Sequence, residues 1–127
     1  MLASIRRRGH PDVRAQASLA SIEAATGLRA QARSRIATIL RDGYMDHHVA
    51  YSLGVAYAQL GERQASLRWL TRSADTGFPC LPWFEHDRLL APVRDAPAFV
   101  QLLAGLKAHA VPATTSAALA TSTSPRP

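Results

Sequence analysis

The stretch Asp46–Pro79, DHHVAYSLGVAYAQLGERQASLRWLTRSADTGFP, decides the fold. Ala50, Leu53, Gly54, Tyr57 and Leu60 recur at helical spacing up to Gly61, and Ser66, Leu67, Leu70 and Ala74 do the same up to Gly77. Intervals of three and four residues put each set on one helix face, and a glycine just past the last apolar position is a stop signal. The stretch therefore predicts two short amphipathic helices hinged at Gly61. Asp46 stands where a carboxylate can accept the free N–H groups of the first turn.

The segment upstream repeats this skeleton. The interval from Gly27 to Gly61 equals the interval from Gly43 to Gly77. The same offset carries Asp12 onto Asp46, Ser18 onto Ser52, Leu19 onto Leu53 and Arg29 onto Arg63. One helix is expected after Asp12 as its cap, with Val13, Ala17, Ala20 and Ala24 on one face. A second follows from about Leu28, with Ala32, Ile36, Ile39 and Leu40 together. No segment alternates with a period of two, so strands are not expected and the fold class is all-α.

The totals bound the rest. At 127 residues and 47% hydrophobic, the chain builds one small domain. Residues 1–11 read as a flexible basic arm, 12–109 as the helical domain, and 110–127, rich in Ala, Thr, Ser and Pro, as a disordered tail. The net charge is +6, and Lys107 is the only lysine among 15 basic residues. Arginine and alanine in such excess suggest a GC-rich bacterial genome. Apart from Arg6, Arg7 and Arg8 the arginines are scattered over the helices, so an arginine-rich, nucleic-acid-associated fragment is kept only as the alternative reading. Cys80 has no partner for an intramolecular disulfide, which fits a cytoplasmic protein. No apolar run reaches the roughly 20 residues of a membrane span, and nothing resembles a secretory leader.

A 34-residue helix–turn–helix period is the mark of the tetratricopeptide repeat (TPR), and Asp46–Pro79 resembles that family. The residues that carry the resemblance are Leu53-Gly54, Tyr57, the turn glycine Gly61, then Ser66, Leu70, Ser73 and Pro79; Gly27 is the turn glycine of a more degenerate first repeat. Small Gly54, Ser66 and Ser73 would let the helices approach while Tyr57 and Leu70 fill the space. The following FPCLPWFEHDRLLAPVRD resembles the closing segment of bacterial chains of this family. There Asp95 is expected to cap a last helix with Pro97 in its first turn, and Val93, Phe99, Leu103 and Leu106 to bury.

The resemblance implies a short right-handed α-solenoid of two helix pairs, 12–45 and 46–79, followed by C-terminal capping helices over 80–109. In this family the first helix of each pair lines the concave side. Carried over by position, the groove is Arg14, Ala17 and Ser21 with His48, Tyr51, Val55 and Gln59. The function implied is a non-catalytic protein–protein interaction module holding a peptide or helix, as a scaffold or regulatory remnant of a larger protein. Self-association through an exposed N-terminal helix is a further expectation.

Nothing in the sequence assembles an enzyme. His47 and His48 are adjacent, pointing about 100° apart on a helix, unlike the i, i+4 pair that chelates zinc. Cys80 and His86 lack a second cysteine for a zinc set, and an apolar turn keeps a thiol neutral. Glu85 and Asp87 flank His86 as alternating surface charges. No catalytic residue, metal or cofactor is expected.

Overall fold

In a computed structural model of the chain, residues 10–77 and 81–109 are described. The expected arm up to residue 9, the repeat position Pro79, the thiol of Cys80 and the tail 110–127 lie outside the described residues. Four helices come first: α1 His10–Ala25, α2 Arg29–Asp42, α3 His47–Gln59 and α4 Arg63–Asp75. A short α5, Leu81–His86, and a 3-10 turn, Arg88–Val93, lead to α6 over 97–109. The described residues include no strand, so the fold is all-α.

The hinges show why the chain turns where it does. Between α1 and α2, Thr26 N–H donates to Ile22 O and Leu28 N–H to Glu23 O. Between α3 and α4 the same two bonds recur one repeat later, Leu60 N–H donating to Ala56 O and Glu62 N–H to Tyr57 O. Gly27 and Gly61 sit at φ 88° and 82°, the left-handed region that a Cβ disfavours, and so end the first helix of each pair identically.

The periodicity extends beyond the two pairs expected. The second helices α2 and α4 start at Arg29 and Arg63, and α6 starts one full period later, at 97. Leu28, Glu62 and Ala96 each accept the N–H four residues ahead, from Ala32, Ser66 and Val100. Residues 80–109, expected as a cap, thus include a second helix in the same register. The first helix of this unit is broken into α5 and the 3-10 turn, which contains Pro92, a residue with no N–H for an α-helical ladder. Asp87 starts the 3-10 turn by accepting Leu89 N–H at 3.0 Å.

Three local expectations are corrected. Asp12 lies inside α1 rather than ahead of it. Asp95 is exposed and pairs with Arg63 at 2.6 Å, and Ala96 precedes α6 in its place. Leu40 is exposed although its spacing put it with Ile36 and Ile39, because the buried row of α2 is Ala32, Ile36 and Ile39.

Helix α3 organises the core. Its Val49, Leu53 and Ala56 join Ala17, Ala20 and Ala24 of α1 and Ile36 of α2 in one apolar cluster. Its Tyr51, Val55 and Ala58 join Leu70, Phe84, Leu90 and Phe99 in the other. Such all-round burial suits a helix sandwiched between neighbours. Against α4 the approach is close: a Cβ built on Gly54 would stand 2.6 Å from Leu70 Cδ2. Ser66 Oγ donates to Gly54 O at 2.6 Å and Ser73 Oγ to His47 O at 2.8 Å, so both buried hydroxyls on this contact are satisfied. Tyr57 is half-buried and Leu70 fully so.

The first pair solves the same contact differently. Glu23 stands where the second pair has Tyr57, and it is buried. Both carboxylate oxygens accept from Arg35, at 2.9 Å each, and Gln16 Oε1 accepts from the same guanidinium. The Arg35 hydrogen bonds hold Glu23 below the usual carboxylate range, outweighing burial. A bidentate pair fixes orientation as well as distance. The pairs are also tied to each other through their second helices. Arg29 donates to Leu60 O at 2.7 Å, and Arg63 donates to Pro92 O at 3.1 Å.

Candidate functional site

The residues expected to line one groove fall into two groups. Ala17 and Ser21 are buried on α1, and Ser21 Oγ donates to Ser18 O in its own helix. Tyr51 is 5% exposed and Val55 3%. Tyr51 donates its hydroxyl proton to Asp87 Oδ2 at 2.7 Å, and its ring meets those of Trp83 and Phe84 edge-on, at 5.8 and 5.3 Å. Gln59 Nε2 donates to Leu89 O at 2.6 Å. Ala17, Ser21, Val55 and Gln59, expected to line the groove, thus make contacts within the fold. The segment from α5 through the 3-10 turn folds back onto α3, and Tyr51, Val55 and Gln59 serve as its seat.

What stays open is one end. A cavity of about 340 Å³ lies there, lined by Arg14, Ser18, His48, Tyr51, Ser52 and Trp83. Three of the seven expected groove residues, Arg14, His48 and Tyr51, are brought together at it. Trp83, 56% exposed, forms a wall. Ser18 and Ser52 were not singled out as site residues, although they are a matched pair of the repeat. Their signal was present in the offset itself, since equivalent positions on α1 and α3 face the same space.

The cavity's polar side is anchored by Asp46. Its Oδ1 accepts Val49 N–H at 2.8 Å, capping α3 as the sequence predicts, and its Oδ2 accepts Arg14 Nε at 2.6 Å and the Tyr44 hydroxyl at 2.8 Å. Burial raises the pKa of this carboxyl. The Val49, Arg14 and Tyr44 hydrogen bonds overcome that and bring it down to about 2. Arg14, hydrogen-bonded to Asp46, is held still more firmly protonated than a free guanidinium. The His47 and His48 rings lie 4.3 Å apart, tilted 41°.

A depressed pKa is a statement about stability against pH. Asp46 stabilises the fold above the unfolded carboxylate value of 3.8, and this contribution disappears as pH falls from there through about 2. After allowing for screening at the half-exposed Arg14, it is worth about 1–2 kcal/mol. Asp46→Asn keeps a competent cap and removes the charge. Urea titrations from pH 7 to pH 2 should show the variant less stable at neutral pH and the gap closing between pH 4 and 2. A gap that persists at pH 2 would assign the loss to packing instead.

The cavity offers a fixed cation, an imidazole, two serine hydroxyls and an indole wall, groups that hydrogen-bond and stack. Among the described residues no group of three or more His, Cys, Asp or Glu side chains could hold a metal ion. His86 is exposed and approaches Glu85 only at 3.8 Å. No described helix is long and apolar enough to cross a membrane. Comparison with protein-family models, curated proteins and solved structures found no match to this chain.

Proposed function

We propose that the chain is a non-catalytic protein-interaction module, a short right-handed TPR-like α-solenoid, and that it grips a side chain of a peptide or partner helix in the cavity between α1 and α3. The observation that carries this reading is the pairing of Ser18 with Ser52, repeat-equivalent residues that line one cavity. Repeated helices present equivalent positions side by side, which is how such folds build an extended binding surface. Arg14 and His48 supply polar contacts and Trp83 an aromatic anchor of the kind that dominates interface energies. Tyr51, Val55 and Gln59 also act at one remove, seating the segment from α5 through the 3-10 turn and with it Trp83. The module would serve as a scaffold or as the regulatory end of a larger assembly, in the cytoplasm.

Peptides selected from a random display library on the immobilised chain provide the test. Ser52→Arg fills the cavity from a partly exposed helix position outside both apolar clusters. Selected peptides should lose at least tenfold in affinity for this variant and for Trp83→Ala. Equal binding to wild type and Ser52→Arg would remove the cavity from the function.

Among the described residues, which leave out Arg6, Arg7 and Arg8, no observation favours the arginine-rich, nucleic-acid reading. Arg14, Arg33, Arg35 and Arg63 are ion-paired to carboxylates, while Arg29 and Arg94 donate to backbone carbonyls.

A further inference from the structure

The polar lining of the cavity between α1 and α3 is of one kind. Arg14, Ser18, His48 and Ser52 each carry an N–H or O–H, and none of the described residues that line it is a carboxylate. Two carboxylates bond to lining residues, and both are engaged. Asp46 accepts from Arg14, Tyr44 and Val49, and Asp87 from Tyr51 and Leu89. Neither carboxylate lines the cavity. A cation entering it would meet a guanidinium and no counter-charge, whereas an anion would meet donors.

Arg14 stays usable despite its ion pair. The bond to Asp46 uses the Nε–H, one of the five N–H groups of a guanidinium. Its side chain is 48% exposed, so much of it remains open to solvent. The bond to Asp46, itself fixed by Val49 and Tyr44, also holds the guanidinium in place, and less side-chain freedom is then lost on binding. Ser18 and Ser52 add two hydroxyls from neighbouring helices. Among the described residues neither hydroxyl has a hydrogen-bond partner, unlike those of Ser21, Ser66 and Ser73.

The donor set also distinguishes between anions. A carboxylate presents two oxygens in one plane. A phosphoryl group presents three on a tetrahedron and carries about 1.5–2 negative charges at neutral pH. A guanidinium, two hydroxyls and an imidazole, spread over two helices, suit the three divergent oxygens. The cavity, at about 340 Å³, holds more than a bare oxyanion would fill, and its remaining wall is the Trp83 indole, set edge-on to Tyr51. A free phosphate ion would leave that wall unused, whereas a phosphorylated side chain would bring its own carbons and flanking peptide against it. Resting on the reading that this cavity grips a side chain of a partner peptide, we propose that the side chain is a phosphoserine or phosphothreonine, its phosphoryl oxygens taken by Arg14, Ser18 and Ser52. The chain then distinguishes the phosphorylated form of its partner from the unmodified one.

Peptide pools with random flanks and one fixed central residue test this, the fixed residue being phosphoserine, phosphothreonine, serine or glutamate. Each pool is passed over the immobilised full chain, and the retained fraction is measured by mass spectrometry. The phosphorylated pools should be retained at least about tenfold more than the serine and glutamate pools, as charge-assisted hydrogen bonds require. That preference should fall at least about fivefold in Arg14→Gln, and also in the double variant Ser18→Ala with Ser52→Ala. Circular dichroism confirms that each variant is folded; the two serine hydroxyls bond to nothing in the fold, so the double variant decides the matter even where Arg14→Gln unfolds. A preference that the double variant keeps would place the phosphate elsewhere and overturn the proposal. Equal retention of all pools, lost in Trp83→Ala, would overturn it too while leaving the cavity as a peptide site. Retention of no pool by wild type would overturn both. Inorganic phosphate should displace the retained phosphopeptides only weakly; displacement at equal concentration would assign the site to a free oxyanion and overturn the peptide as its occupant.

Discussion

Phe99→Ala is expected to cost about 3–5 kcal/mol, the range for emptying a fully buried aromatic site. Phe99 is 0% exposed in the cluster that α3 shares with the last unit. Its ring also lies under Arg94, whose guanidinium carbon is 5.5 Å from the ring centroid. The same guanidinium donates to the carbonyl oxygens of Phe84, Glu85 and Asp87, at 3.1, 2.7 and 2.7 Å. Loss of the ring therefore loosens the residue that clamps the end of α5, and with it the segment covering Tyr51 and Gln59. For a domain of this size, whose total stability is about 5–15 kcal/mol, that is about a fifth of the whole or more. The melting temperature should fall by roughly 15–30 °C. Thermal and urea unfolding followed by circular dichroism measure it. A loss below about 1 kcal/mol would mean that the site collapses fully around the missing ring, against the packing seen here.

Gly54→Val is the second large effect, and it has the opposite origin. The space between α3 and α4 at this point is already filled: an added Cβ would stand 2.6 Å from Leu70 Cδ2, 2.7 Å from Leu70 Cγ and 3.3 Å from the Leu70 backbone nitrogen. Glycine in mid-helix costs about 1 kcal/mol against alanine, so a substitution begins with a small gain. Overpacking by about 1–3 kcal/mol from the Cβ outweighs it, and the two valine methyls add to the strain. The helices must part, which also stretches the Ser66 hydrogen bond to Gly54 O. A net loss of about 3 kcal/mol is expected. Leu70→Ala alone should cost about 2–5 kcal/mol by leaving a cavity. Because valine at 54 fills the space Leu70 vacates, the double variant should be more stable than the sum of the two by at least about 1 kcal/mol. Strict additivity would show that the two residues do not compete for one volume.

These two sites differ in how openly the sequence declares them. Gly54 stands in the middle of an apolar helical pattern, where glycine is otherwise disfavoured, so its role in close approach is readable from position alone. Phe99 is readable as a core residue, but its dependence on Arg94 is not, because the carbonyls that Arg94 holds lie well back along an irregular segment. Glu23 shows the same limit. A glutamate in the apolar register of α1 reads as a flaw in the repeat, and only the fold brings Arg35 of α2 within hydrogen-bonding distance.

The candidate site divides along the same line. Arg14, His48 and Tyr51 could be named in advance only through the resemblance to a repeat family whose first helices line the concave side. That Tyr51, Val55 and Gln59 are covered depends on the path of Leu81–Val93. That path is set by a proline-interrupted stretch with no helical period to read.

By itself, the sequence determined the helices, their glycine hinges, the repeat register and the Asp46 cap. Each of these is a local matter of side-chain period, backbone freedom at glycine, or a carboxylate a few positions ahead of an N–H. The tertiary structure alone decided which stretch of the expected groove stays open and how Glu23 is neutralised. These outcomes depend on contacts between residues far apart in the chain, and local periodicity carries no record of them.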